Sequence, residues 1–234
     1  MKRKVITIDG LAACGKSTIA KDLANRLGFV FFSSGLLYRA VGYLALINKI
    51  DFSDEISLVK IIQQSKIELK HSSSGENLVL LDGIDISEKI RTPEVSEATS
   101  SCAQLKLVRE ALLDAQRNAF INNNIVTEGR DMGTVIFPEA DLKFFIKTDE
   151  DILIDRRLRQ LYGDYEKLSE EEVNVLKLKM KKEIKDRNLR DQLRDNSPTV
   201  PANDAIIVDN SGKTLTETLD FVYHIASREL CSSK

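Results

Sequence analysis

Gly10-Leu11-Ala12-Ala13-Cys14-Gly15-Lys16-Ser17, with Thr18 next, fits the pattern G-x-x-x-x-G-K-[ST]. Each fixed position answers a chemical need. Glycines let successive backbone N–H groups turn inward around phosphate oxygens, and a helix starting at the lysine adds its positive dipole end. Lys16 is long enough to reach the β- and γ-phosphates, and the Ser17 hydroxyl suits Mg²⁺. The apolar run Val5-Ile8 before the motif and the helical stretch Lys16-Leu27 after it supply the strand–loop–helix setting that the chemistry requires. A nucleotide-phosphate loop on an α/β scaffold follows. Cys14 fills a variable loop position, either as a small packing residue or, near a helix N-terminus, as a redox-sensitive thiol.

Outward from the loop, short apolar runs alternate with helical stretches, the signature of a mostly parallel sheet wrapped by helices. Strands are predicted at Val5-Ile8, Phe29-Phe32, Ile125-Thr127, Leu142-Ile146 and Ala205-Val208. Each is a near-continuous apolar run, as strands buried on both faces should be. Helices are predicted at Lys16-Leu27, Gly35-Asn48, Val108-Asn122, Asp151-Leu161, Glu170-Leu193 and Leu215-Ser227. Residues 50–105 break the rhythm. Ile67-Lys70, Leu78-Leu81 and Ile84-Ile86 read as short strands around turns at Ser74-Gly75 and Asp82-Gly83, with a helix after Thr92-Pro93. This is the pattern of an inserted antiparallel subdomain.

Bulk properties exclude several classes. The 234 residues carry a net charge of -2, so no whole-chain field favours DNA, RNA or an anionic membrane. Three cysteines without paired spacing argue for a reducing compartment, and two distant histidines, His71 and His224, argue against a zinc site. Met1-Lys2-Arg3-Lys4 imitates the start of a secretory leader, but the apolar run behind it ends after four residues at Asp9. A leader needs about 7–15 apolar residues, so a buried first strand is expected instead. Nothing approaches the roughly 18 apolar residues of a membrane span. Asn48-Lys49-Ile50-Asp51 spells the guanine-reading N-K-x-D, but it ends a helix too soon after the loop, and no D-x-x-G intervenes. It is a coincidence.

Kinase chemistry places a heavy negative charge on donor and acceptor, and arginines are its natural stabilisers. Arg39 sits one turn into a helix opened by Gly35, where it can grip a phosphate bidentately. Arg130 and Asp131 directly follow a buried strand, where such sheets bind ligands. On the helix Glu170-Leu193 and just past it, Arg187, Arg190 or Asp191, and Arg194 share a face. Three arginines on one stripe repel unless an anion lies between them. Lys177-Lys185, by contrast, reads as a solvated face.

With these residues in view, the chain resembles the bacterial cytidylate kinases within the nucleoside monophosphate kinase group, from the loop to Asp209. Four further segments carry the likeness: Ser34-Gly35-Leu36-Leu37-Tyr38-Arg39; Ile90-Arg91-Thr92-Pro93-Glu94-Val95 with Ser100 and Val108-Arg109-Glu110; Glu128-Gly129-Arg130-Asp131-Met132-Gly133-Thr134; and Arg187-Asn188-Leu189-Arg190-Asp191-Gln192-Leu193-Arg194. The resemblance implies that Lys16, Arg130, Arg187 and Arg190 are catalytic. It implies that Gly10 to Thr18 and Arg157 bind ATP, the flanking Arg156 and Arg159 belonging to the same lid. Ser34, Arg39, Ser100, Arg109, Arg130, Asp131, Arg187, Asp191 and Arg194 would bind the acceptor. Asp131 would accept from the cytosine amino group, with Ser100 and Arg109 serving the ring acceptors. The alternative for that pair is a helix cap at Ser100 and a solvated Arg109. Two positions depart from the family: Ser33 stands where Asp is frequent, and Glu128 where Asp is usual near Mg²⁺.

The expected fold is therefore a three-layer α/β P-loop kinase with a five-stranded parallel sheet. The whole of residues 1–234 would be one domain, with its core at about 1–50 and 105–234. An inserted antiparallel subdomain at about 50–105 would bind the nucleoside monophosphate, and a short lid would span about 151–165. The expected reaction moves the γ-phosphoryl group of ATP to CMP or dCMP with Mg²⁺. A cytoplasmic monomer without nucleic-acid or membrane partners is expected. A kinase for UMP or a non-nucleotide hydroxyl is the nearest rival, and a regulatory nucleotide switch the more distant one.

Overall fold

A computed structural model describes residues 3–72 and 75–232. In chain order the first half runs β1 (Val5–Gly10), α1 (Lys16–Leu27), β2 (Val30–Ser33), α2 (Gly35–Ile47) and α3 (Glu55–Gln64). Then come β3 (Ile67–His71), β4 (Asn77–Leu81), β5 (Ile84–Asp85), α4 (Pro93–Cys102) and α5 (Lys106–Asn118). The second half holds β6 (Ile125–Gly129), β7 (Leu142–Lys147), α6 (Glu150–Tyr162), α7 (Glu170–Leu193), β8 (Ile206–Asp209) and α8 (Leu215–Ser232).

The large sheet has the order β2-β6-β1-β7-β8, and every neighbouring pair is parallel. Alternating side chains bury its two faces in separate cores. Ile6, Ile8, Val126, Phe144 and Ile146 pack beneath α1, α6, α7 and α8. Val5, Phe32 and Ile125 pack beneath α2, α3 and α5. This three-layer arrangement explains why the strands read as continuous apolar runs. The last residues of β1 and β6 still pair, Ile8 with Glu128 and Asp9 with Gly129. The loops after these two strands therefore open side by side at the carboxyl edge.

The three-stranded antiparallel sheet β3-β4-β5 sits on its own cluster, in which Val79, Leu81 and Ile86 meet Ala40 and Leu44 of α2 and Val95 of α4. Of the two expected turns there, Ser74 lies outside the described residues. Thr92 caps α4 as its Thr-Pro signature demands, accepting from the Val95 N–H at 3.3 Å. One helix was not expected: α3, capped by Asp54 accepting from the Ser57 N–H at 3.0 Å. It buries Leu58 and Ile62, four residues apart; two core contacts are a faint periodic signal.

The sequence Asn48-Lys49-Ile50-Asp51 is the stop of α2. Asn48 Nδ2 returns to the Leu44 carbonyl at 2.9 Å, and Lys49 takes φ 54°. Among the described residues, no helix is long and apolar enough to cross a membrane.

Candidate active site

The loop after β1 is shaped by close approach. A Cβ on Gly10 would lie 2.6 Å from the Ile146 carbonyl oxygen of β7, so only glycine passes there. Gly15 adopts φ 90° and brings no capping side chain to α1, which leaves that helix N-terminus open to an anion. Two asparagines grip the loop from opposite ends. The Ala12 N–H donates to Asn188 Oδ1 at 3.0 Å, and Asn210 Nδ2 donates to the Cys14 carbonyl at 3.0 Å. Cys14 is itself buried. Lys16 is buried too, and its Nζ donates to the Leu11 carbonyl at 2.8 Å. Burial lowers its pKa first, Arg130 and Arg187 lower it further, and Cys14 and Glu128 pull it back up. Ser17 and Thr18 are exposed at the start of α1.

Beside this loop, β6 ends in Glu128, which accepts from Ser33 Oγ at 2.5 Å. Ser34 Oγ donates to the Glu128 carbonyl at 2.9 Å, tying the end of β2 to the end of β6. Asp9, not anticipated as a functional residue, holds the next segment. Its carboxylate accepts from the Met132 and Gly133 N–H groups at 2.9 and 2.8 Å, fixing a single π-turn at Met132–Ile136. Burial pushes the Asp9 pKa up to about 7 against the pull of those two donors.

The basic residues come together from five separate segments. Arg130 Nε meets Asp191 Oδ2 at 2.7 Å. Burial opposes the Arg130 charge, but Asp191 outweighs it and raises the pKa. Among the described residues Arg187 has no such partner. Burial and the Arg130 charge push it down to about 10, with Arg39 and Arg157 adding to the repulsion against the pull of Asp191. Arg39 donates to the Ile90 carbonyl at 2.7 Å and Ser96 Oγ at 3.1 Å.

The three arginines of α6 separate by partner. Arg156 is bound to Asn210 through Oδ1 and the carbonyl, each at 3.2 Å, and so braces the loop indirectly. Arg159 pairs with Asp155 at 2.9 Å and with Glu166. Arg157 is the one whose charge reaches Arg39 and Arg187. Arg190 is exposed, and its Nε donates to the Asp186 carbonyl of its own helix at 3.2 Å.

A second, drier pocket adjoins the cluster. Asp131 is 4% exposed and Arg109 6%. They form an ion pair, and Arg194 Nη2 stands 3.7 Å from the other Asp131 oxygen. The Arg109 guanidinium lies 5.2 Å above the Tyr38 ring, whose hydroxyl accepts from Gln116 Nε2 at 3.4 Å. Arg109 is thus no solvated surface residue. Ser100 lies inside α4, half-buried, and does not cap it. Among the described residues Arg109 Nε and Arg194 Nη2 are buried without a hydrogen-bond partner. Unspent buried donors of this kind are what a polar ligand satisfies.

Among the described residues no group of three or more His, Cys, Asp or Glu side chains is placed to hold a metal ion. The oxygen donors at hand, the Ser17 hydroxyl and the Glu128 carboxylate, fit a hard cation that takes its other ligands from phosphate and water.

Asn188 also escaped the motif reading. The buried positions of α7 run Met180, Ile184, Asn188, so the signal was a polar residue closing an apolar stripe.

Known proteins are similar to the chain over most of its length. A streptococcal cytidylate kinase (Streptococcus mutans) is 38% identical over 218 residues, covering 93% of each chain. The cytidylate kinase of Solibacter usitatus is 34% identical over 233 residues, all of this chain and 96% of that one. The bifunctional pantoate ligase/cytidylate kinase of Prochlorococcus marinus is 38% identical over 219 residues, and the chain spans 41% of that protein's length. The family model described as Cytidylate kinase matches residues 6–228. With that match running from β1 into α8, the chain belongs to the cytidylate kinase family.

Proposed function

We propose that the chain transfers the γ-phosphoryl group of ATP to CMP and dCMP, giving ADP and the cytidine diphosphates. One observation carries this reading: Lys16, Arg39, Arg130, Arg157 and Arg187 act on one another electrostatically with few acids to offset them. Such crowding is unfavourable until a polyphosphate occupies the centre, and it supplies the stabilisation that phosphoryl transfer needs.

In this reading the backbone of Gly10–Thr18, Lys16 and Arg157 hold the donor phosphates. Arg39, Arg130, Arg187 and Arg194 grip the acceptor phosphate and the group in flight, with Arg190 serving from the rim. Asp191, kept below the usual carboxylate range by Arg130 despite its burial, accepts from ribose hydroxyls. Asp131 accepts from the cytosine amino group, while Arg109 and Ser100 donate to its ring acceptors and Ser34 lines the approach. Ser17 and Glu128 would hold Mg²⁺, directly or through water, and the ion neutralises charge on the phosphate oxygens. No general base is needed, because the acceptor phosphate oxygen is already anionic. Residues 50–105 act as the nucleoside-monophosphate segment and 151–165 as the lid of a cytoplasmic, monomeric enzyme.

Competition of CMP, dCMP, UMP and AMP as acceptors with ATP–Mg²⁺, read by coupled ADP formation, tests the proposal. Preference for CMP and dCMP is expected; a clear preference for UMP over both would overturn it.

A further inference from the structure

Asn188 is buried on α7 in line with Met180 and Ile184, yet its side chain leaves the apolar core to accept from the Ala12 N–H of the phosphate loop. It is next in sequence to Arg187, whose charge is disfavoured by burial and then by Arg130. The other site residues at this end of α7 have anchors of their own, Arg190 on the Asp186 carbonyl of its own helix. Asp191 is held by Arg130 and Arg194 by Asp131 and the Ser197 carbonyl. Arg187 has no hydrogen bond among the described residues, so its place depends on where the helix backbone stands. Without a polyphosphate, repulsion from Lys16 and Arg130 drives that backbone away from the loop.

We infer that Asn188 is a positioning residue: its amide fastens α7 to the phosphate loop through Ala12 and so sets the distance of Arg187 from Lys16. The inference rests on the phosphate-binding role proposed above for Arg187 and the loop. It goes beyond that role in assigning to an uncharged residue the alignment of a charged one.

Asn188→Leu keeps the branched shape on the buried stripe of α7 but removes the acceptor. Displacements of about 1 Å cost up to about a hundredfold in rate. A fall in kcat of about tenfold or more is therefore expected, larger than any rise in the KM for CMP, because Asp191 and Arg194 keep their anchors. Asn188→Asp retains an accepting oxygen and is expected to restore kcat to within about threefold. Unchanged kcat in Asn188→Leu would overturn the inference. So would a rise in the KM for CMP matching the loss in kcat, or an Asn188→Asp protein as slow as Asn188→Leu.

Amide exchange on the unaltered, nucleotide-free protein tests the tether apart from catalysis. Slow exchange at Ala12 is expected, and exchange at the rate of a free amide would overturn the inference whatever the acceptor assay finds. Protection at Ala12 with no transfer to CMP would instead leave the tether standing and refute the kinase reading.

Discussion

Replacing Asp131 with Asn changes almost no volume but takes one negative charge from a pocket where Asp131 is 4% and Arg109 6% exposed. The amide oxygen can still accept from Arg109, so the loss is the difference between a charged and a neutral hydrogen bond, with the weaker pull on Arg194. That difference is about 1–3 kcal/mol. In a chain of this length it lowers Tm by about 2–12 °C. The consequence for the acceptor is sharper. Cytosine offers an amino donor where uracil offers a carbonyl. The carboxylate favours the first and repels the second, whereas the Asn amide can rotate to donate. Losing a charged hydrogen bond worth about 1.5–3 kcal/mol lowers kcat/KM for CMP by about 10- to 150-fold. The value for UMP is expected to hold or rise. Coupled ADP formation with each acceptor at fixed ATP–Mg²⁺, beside a thermal melt, measures both effects. Equal losses for CMP and UMP would refute the assignment of Asp131 to the base.

Other expectations follow from charge placement. Lys16→Ala is expected to lower kcat by about a hundredfold or more, without a lower melting temperature, because burial and two arginines already disfavour its charge. Arg157→Ala is expected to reduce kcat/KM for ATP, whereas Arg156→Ala, which releases Asn210, is expected to lower thermal stability; steady-state kinetics and melts on both separate the roles. Asp9 holds its proton in the native protein up to about pH 7, against an ordinary 3.8. Between those values the unfolded chain has released a proton that the folded one keeps, so stability declines as pH rises through the window, by at most about 4 kcal/mol. Urea midpoints from pH 5 to 8 measure the slope, which Asp9→Asn should flatten.

The phosphate loop was legible because everything it needs is local: glycines, lysine, hydroxyl, and an apolar strand in front. The central strands were legible because burial on both faces leaves no alternation to misread. What escaped depends on partners remote in the chain. Arg156, Arg157 and Arg159 look alike in sequence, and only Asn210, Asp155 and Glu166 distinguish them. Arg187 and Arg190 were expected on one face. At about 100° per residue, Arg190 falls roughly 60° beyond Arg187 and away from the Met180–Ile184–Asn188 stripe, which puts it in solvent. Arg109 sits between Lys106 and Glu110 on a charged helix, and nothing local marks it as buried. Asp9 is a lone carboxylate ending an apolar strand. Its partners are two backbone amides more than 120 residues away, to which no sequence pattern points.

The register that sets β1 between β6 and β7 also dictates when this molecule can mature. β1 has both of its edges filled by segments made more than a hundred residues later. Until Lys147 has left the ribosome, the β7 edge of Val5–Gly10 stays open, and the wall that bends Gly10 does not exist. Pairings of such long sequence separation close slowly and leave open edges exposed to other chains. Nascent fragments ending before β7 should therefore lack nucleotide affinity and depend on chaperones, and that competence should arrive in one late step.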